Sequence, residues 1–195
     1  MKKENEKKRT FLTENIFVLW TMASRYFETI ENLYKENKPE RDLYAFCLLA
    51  TTSLELFLKV IIAADFVETT DIDTEEDIEA MTIKKLKFFG HSISRLIEEN
   101  GIKDYFGIKE IKEVNNGTLH DYRLIFNEEK VCCFKDSESV RFGLIARKKD
   151  MALFVHIHYT DEIIDFLKKA KDISYKKLNE KINSLQGSNK VKSRI

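Results

Sequence analysis

Glycine and proline are scarce in this chain. Its 195 residues hold six glycines and one proline, Pro39. That scarcity excludes a collagen-like, low-complexity or loop-dominated protein. The glycines never cluster, so no phosphate-binding loop or dinucleotide fingerprint exists. Net charge is absent as well: 33 Lys and Arg balance 33 Asp and Glu. Broad, nonspecific nucleic-acid binding rests on an excess of cations, and none is present. Cysteine is rare. Cys47, Cys132 and Cys133 form no CxxC pair. Neighbours on a strand point to opposite faces, so Cys132 and Cys133 do not readily share one tetrahedral metal. The first ten residues are charged, and no apolar signal segment with a cleavage site follows them. A reducing, cytoplasmic setting is the expectation.

What is present is apolar residue in helical rhythm. Hydrophobic residues make up 43% of the chain, enough for one domain with a real core. The longest apolar run is Leu43 to Ala64. Its length approaches a membrane span, but Glu55 and Lys59 lie within it. Each would cost about 2.5–3.5 kcal/mol at mid-bilayer. The run therefore reads as the buried central helix of a soluble bundle, about 41–65, with no membrane partner. Glu55 and Lys59 are four apart, share a face and can pair.

A first helix is expected over 11–37, from Leu12, Ile16, Leu19, Ala23, Tyr26, Ile30 and Leu33. Lys38-Pro39 would end it. Residues 67–81 read as an acidic, solvated connector. The string DIDTEED within it lacks the glycine and the final glutamate of a calcium loop. A third helix is expected over 83–99, closed by Asn100-Gly101. A fourth is expected over 107–126, with Gly117 in its middle as a bend or restart. The period then shortens, and 130–135, 139–147 and 151–158 read as strands. Thr160-Asp161-Glu162 opens a last helix over about 160–184.

The expected architecture is mainly α: a four- to five-helix bundle with a small antiparallel β insertion before the last helix. One domain would cover 1–185, the insertion 128–158, and a flexible tail 186–195. No internal repeat is evident.

Three strings stand out for chemistry: SLELFLK (Ser53 to Lys59), GHSISRLIEE (Gly90 to Glu99) and NNGTLHDYR (Asn115 to Arg123). In this order and spacing they resemble the HEPN superfamily, small and often dimeric helical bundles. Members include toxin–antitoxin, abortive-infection and CRISPR proteins. The resemblance spans about 41–126. It implies RNA or an antitoxin-like protein as partner, a homodimer, and no cofactor or metal. Ribonucleases of that family carry an arginine, often a polar residue, then a histidine a few positions on. Here His120 matches the histidine and Asn116 the polar residue, but Asn115 stands at the arginine position. No histidine of the chain has an arginine five to seven residues upstream.

RNA cleavage through the 2′-hydroxyl needs a proton carrier near neutral pH, which histidine supplies. It also needs positive charge on the phosphoryl oxygens in the transition state. Asparagine carries none, and the loss is worth roughly 10³–10⁵-fold by analogy with catalytic arginines. The expected function is thus a binding or regulatory module with a degenerate ribonuclease centre, in phage defence or a toxin–antitoxin system. An alternative is an active metal-independent ribonuclease. On the expected helix Arg123 would share a face with Asn116 and His120 and replace the missing cation. A further alternative is a protein-interaction scaffold acting through the β insertion.

Asn115, Asn116, Tyr122, Glu55, Lys59 and His91 are the candidate supporting or RNA-contacting residues. Glu55 and Lys59 also read as a buried pair that fixes helix register. His91, after Gly90 at a helix start, reads as a structural hydrogen-bonding residue. His156 and His158 alternate on an expected strand and read as surface histidines.

Overall fold

The computed structural model describes residues 2–35, 39–70, 75–116, 119–126, 131–135 and 161–187. It is mainly helical, with a small antiparallel sheet before the last helix. Helix α1 (Lys2–Phe11) runs through one π-helical segment (Leu12–Ile16) into α2 (Phe17–Lys35). The Thr13 hydroxyl donates to the carbonyls of Arg9 and Thr10 just before that wider turn. Helix α3 (Pro39–Thr69) begins on the chain's proline. Proline fits a first helical turn, where its missing N–H has no helical partner to lose.

Buried residues surround α3 on nearly every side, among them Leu54, Phe57, Leu58, Ile61 and Ile62. This is the expected core helix. By length and hydropathy its Ala45–Thr69 part could cross a membrane, yet 67% of that window is buried inside the fold. That is the environment of a core helix. Helix α2 lays Ala23, Phe27 and Ile30 against it, and the buried Ser53 hydroxyl donates to the Ala23 carbonyl at 2.9 Å.

The acidic connector is shorter than expected, because α4 (Glu75–Phe89) already begins within it. Nor does the expected 83–99 helix run through. It stops at Phe89, turns at Gly90 (φ 57°), and restarts as α5 (Ile93–Glu98) under the cap of Ser92. A glycine accepts that left-handed conformation without steric cost. Short α6 (Ile102–Phe106) ends at Gly107, φ 69°. There Gly107 N–H donates to the Asp104 carbonyl and Ile108 N–H to that of Lys103. The pair is a Schellman closure, and it turns the chain out of the helix.

The expected helix over 107–126 is overturned. Strands β1 (Glu110–Asn116) and β2 (Leu119–Ile125) form an antiparallel hairpin instead. Strand β3 (Val131–Lys135) extends it in the order β1-β2-β3, where a strand is expected. The sheet thus starts well before the expected insertion. The strands expected at 139–147 and 151–158 lie outside the described residues, as does most of the expected tail. One sheet face buries Tyr122, Leu124, Cys132 and Phe134 in the main core.

Helix α7 (Asp161–Gly187) closes the fold along α3. Phe166 meets the rings of Phe106, Phe126 and Phe134 at 5.1, 5.5 and 5.7 Å between centroids. The Cys132 thiol donates to the Glu162 carbonyl, and the Tyr34 hydroxyl to Asp161. That bond to Asp161 raises the Tyr34 pKa. A second cluster joins Phe11, Leu12 and Ile16 to Val60, Ala64, Ile78, Leu178 and Leu185.

Candidate functional site

Glu55 lies in the middle of α3 and is almost wholly buried. A buried carboxylate needs partners, and Glu55 has them. Lys59, one turn on, donates from Nζ at 2.7 Å. His91, in the turn between α4 and α5, reaches both carboxylate oxygens from Nδ1, at 3.0 and 3.1 Å. An ionised carboxylate only accepts, so Nδ1 carries the proton and Nε2 is left over. The His91 side chain is 40% exposed, and its Nε2 has no partner among the described residues.

The network continues. Ser92 and Ser94 lie 3.1 Å apart through their hydroxyls, and Ser94 donates to the Glu113 carboxylate on β1. The register pairs Glu113 with Tyr122 and Asn115 with His120. Asn115 is therefore the next position after Glu113 on the same sheet face, about 7 Å further along the strand. Two of the three strings singled out in the sequence meet along this line, which ends on the strand that leads into the third. The Glu55–His91 link joins the first two, and the Ser94–Glu113 link brings the second to β1, one side of the hairpin that holds the third.

Not every candidate joins the line. Asn116 pairs with Leu119, and Arg123 with Lys112. Strand alternation puts positions 120 and 123 on opposite sheet faces, and 116 opposite 120 as well. The common helical face expected for Asn116, His120 and Arg123 does not exist. Arg123 is exposed, whereas Tyr122 is only 5% exposed and belongs to the main core.

Sequence reasoning missed Ser92, Ser94 and Glu113. Ser92 was findable: a serine after Gly-His and before an apolar run is an N-cap signal, and its hydroxyl accepts from Arg95 N–H. Glu113 carries no such signal, since its partner arrives only through folding.

Chemically the site offers one positioned imidazole, two serine hydroxyls and two carboxylates. Its only ammonium among the described residues, Lys59, is engaged by Glu55. No group of three or more His, Cys, Asp and Glu could hold a metal among the described residues. His156 and His158 lie outside them. A groove of ≈ 320 Å³ lies elsewhere, lined by Asp65, Phe66, Thr69 and Lys85. Asp65 is ten residues beyond Glu55, about 15 Å along the helix. The groove's charges are used internally, Lys85 by Glu99 and Asp65 by Lys181. Comparison of the chain with protein-family models, with curated proteins and with solved structures finds no match.

Proposed function

We propose that this chain is a HEPN-like binding or regulatory module with a degenerate ribonuclease centre. In this reading it is a cytoplasmic homodimer serving phage defence or a toxin–antitoxin pair, with RNA or an antitoxin protein as partner. The observation that carries the reading is the hydrogen bonding of Glu55 to His91 and of Ser94 to Glu113. These bonds tie the first two strings on which the resemblance rests to each other and to the strand that leads into the third. Degeneracy is supported by Asn115 standing opposite His120 in the hairpin, where the family's ribonucleases need an arginine. Arg123 is a poor substitute, because it occupies the other sheet face from position 120.

The test is incubation of a mixed RNA pool with the protein in chelator. Wild type, His120→Ala and Arg123→Ala are compared. All three should leave the pool intact at high protein concentration. Cleavage by wild type that His120→Ala abolishes would overturn the degenerate centre in favour of an active ribonuclease. Sedimentation of the wild type checks the dimer.

A further inference from the structure

From Ala80 to Ile97 the chain contains no acidic residue but four cations, in a protein whose net charge is zero. Lys85 is consumed by Glu99. Lys84, Lys87 and Arg95 are exposed, and none has an acidic partner among the described residues. Between them stands Phe88, which is 73% exposed, the largest exposure among the described large apolar side chains. Lys84 and Phe88 are one turn apart and Lys84 and Lys87 three residues apart, so they share the outer face of α4. The helix ends one residue later. Gly90 turns the chain, and His91 follows with Nδ1 held by Glu55 and Nε2 unpartnered. Arg95 lies in the first turn of α5, just beyond.

An exposed aromatic ring beside unneutralised cations is what a single nucleic-acid strand requires. Bases stack on the ring and phosphates meet the cations. A membrane surface would require something else, an apolar stripe along one helix face. The exposed apolar residues of α4 are Met81, Ile83 and Phe88. Ile83 projects about 140° from Phe88, with Lys84 and Lys87 between, and Met81, on the Phe88 side, is two turns away with Lys84 between them, so the apolar residues are broken up by cations rather than joined in one stripe. We infer that the α4–α5 turn is a docking surface for single-stranded RNA. Phe88 stacks a base, Lys84, Lys87 and Arg95 take the phosphates, and His91 Nε2 accepts or donates one hydrogen bond. The choice of RNA over DNA rests on the HEPN-like reading above, whereas the surface itself rests on these residues.

The test is fluorescence anisotropy of a short labelled uridine-rich RNA with the full chain, across a salt series. Phe88→Ala should weaken binding roughly five- to 150-fold, the range for removing one stacking aromatic. The Lys84→Gln, Lys87→Gln, Arg95→Gln triple variant should flatten the log–log salt slope by about 2, near 0.7 for each phosphate no longer neutralised. Lys176→Gln, exposed on α7, is the control and should bind as wild type. All changes are at exposed positions, and circular dichroism melting checks that each variant folds. Wild type that binds no RNA at low salt overturns the inference. So does a Phe88 or triple variant that binds as tightly as wild type, or wild type that sediments with anionic phosphatidylserine vesicles but ignores RNA. Cleavage read from the same samples on a gel reports separately on the degenerate centre. If His120-dependent cleavage appears while Phe88→Ala still weakens binding, the function reading fails and the surface stands.

Discussion

The Glu55 carboxylate holds the His91 imidazole across 36 positions of sequence, and it holds the Lys59 ammonium at the same time. The two partners differ in exposure, so the three residues should not be equal on substitution. Glu55→Ala leaves Lys59, 14% exposed, without its anion inside the fold. Breaking a buried pair from one side costs about 3–5 kcal/mol. His91→Ala should cost only about 1 kcal/mol, because water reaches that side chain. Urea unfolding of both variants checks this, and equal losses would show that Lys59 is satisfied without Glu55.

A pH dependence comes from the other end of α3. Lys181 of α7 bonds to both Asp65 and Glu68, and Ser184 also donates to Glu68. Burial pushes the Glu68 pKa up, but the bonds from Lys181 and Ser184 outweigh it and leave the pKa below the usual 4.5. Burial likewise lowers Lys181, and the bonds to Glu68 and Asp65 override it, leaving the pKa above 10.5. The Glu68 contribution to stability is therefore present above its unfolded pKa and lost as pH falls through the lowered folded value. The Lys181 contribution is present below its unfolded pKa and lost as pH rises through the raised one. The urea midpoints of wild type and Lys181→Met should differ most between about pH 5 and 10 and converge in stronger acid. A gap that stays constant down to pH 2 would contradict the pairing.

Phe166 is the aromatic centre of the sheet–helix contact, touching Phe106, Phe126 and Phe134. Phe166→Ala should cost about 3–5 kcal/mol, as expected for a large buried ring. It should also loosen the hairpin before the rest. Hydrogen exchange of the β1–β2 amides should accelerate more than that of the α2–α3 amides, and uniform acceleration would refute that division.

Gly107 is a backbone requirement. Nothing lies within 4 Å of where a Cβ would stand, so the obstacle to substitution is φ alone. Gly107→Ala should cost about 1–2 kcal/mol by thermal unfolding. Gly107→Asn should cost less, since asparagine tolerates this conformation better. An alanine variant as stable as wild type would show that the turn can relax.

The legible parts of the fold were those where apolar rhythm ran long. The core helix announced itself through Leu43 to Ala64. The final helix is observed at Asp161–Gly187, against an expected start near Thr160. The hairpin was missed for a local reason. Ile108, Ile111, Val114, Leu119, Tyr122, Ile125 and Phe126 mimic a helical stripe, yet Asn116-Gly117 is a strong hairpin turn signal. Ile111, Tyr122 and Leu124 belong to the strand period. The error mattered for the site, because period decides which residues share a face. The Glu55–His91 link was half legible: both residues were candidates, and the bond between them is a product of the tertiary fold.

The placement of α3 between α2 and α7 has a consequence during synthesis. Its α2 side can be covered by a neighbour made just before it. Its α7 side waits for residues beginning at Asp161, about 90 positions after Thr69. At ribosomal speeds of about 5–20 residues per second, that wait lasts roughly 5–20 s. For that interval the nascent chain carries an apolar helix with one side uncovered, the stage of its synthesis most exposed to aggregation.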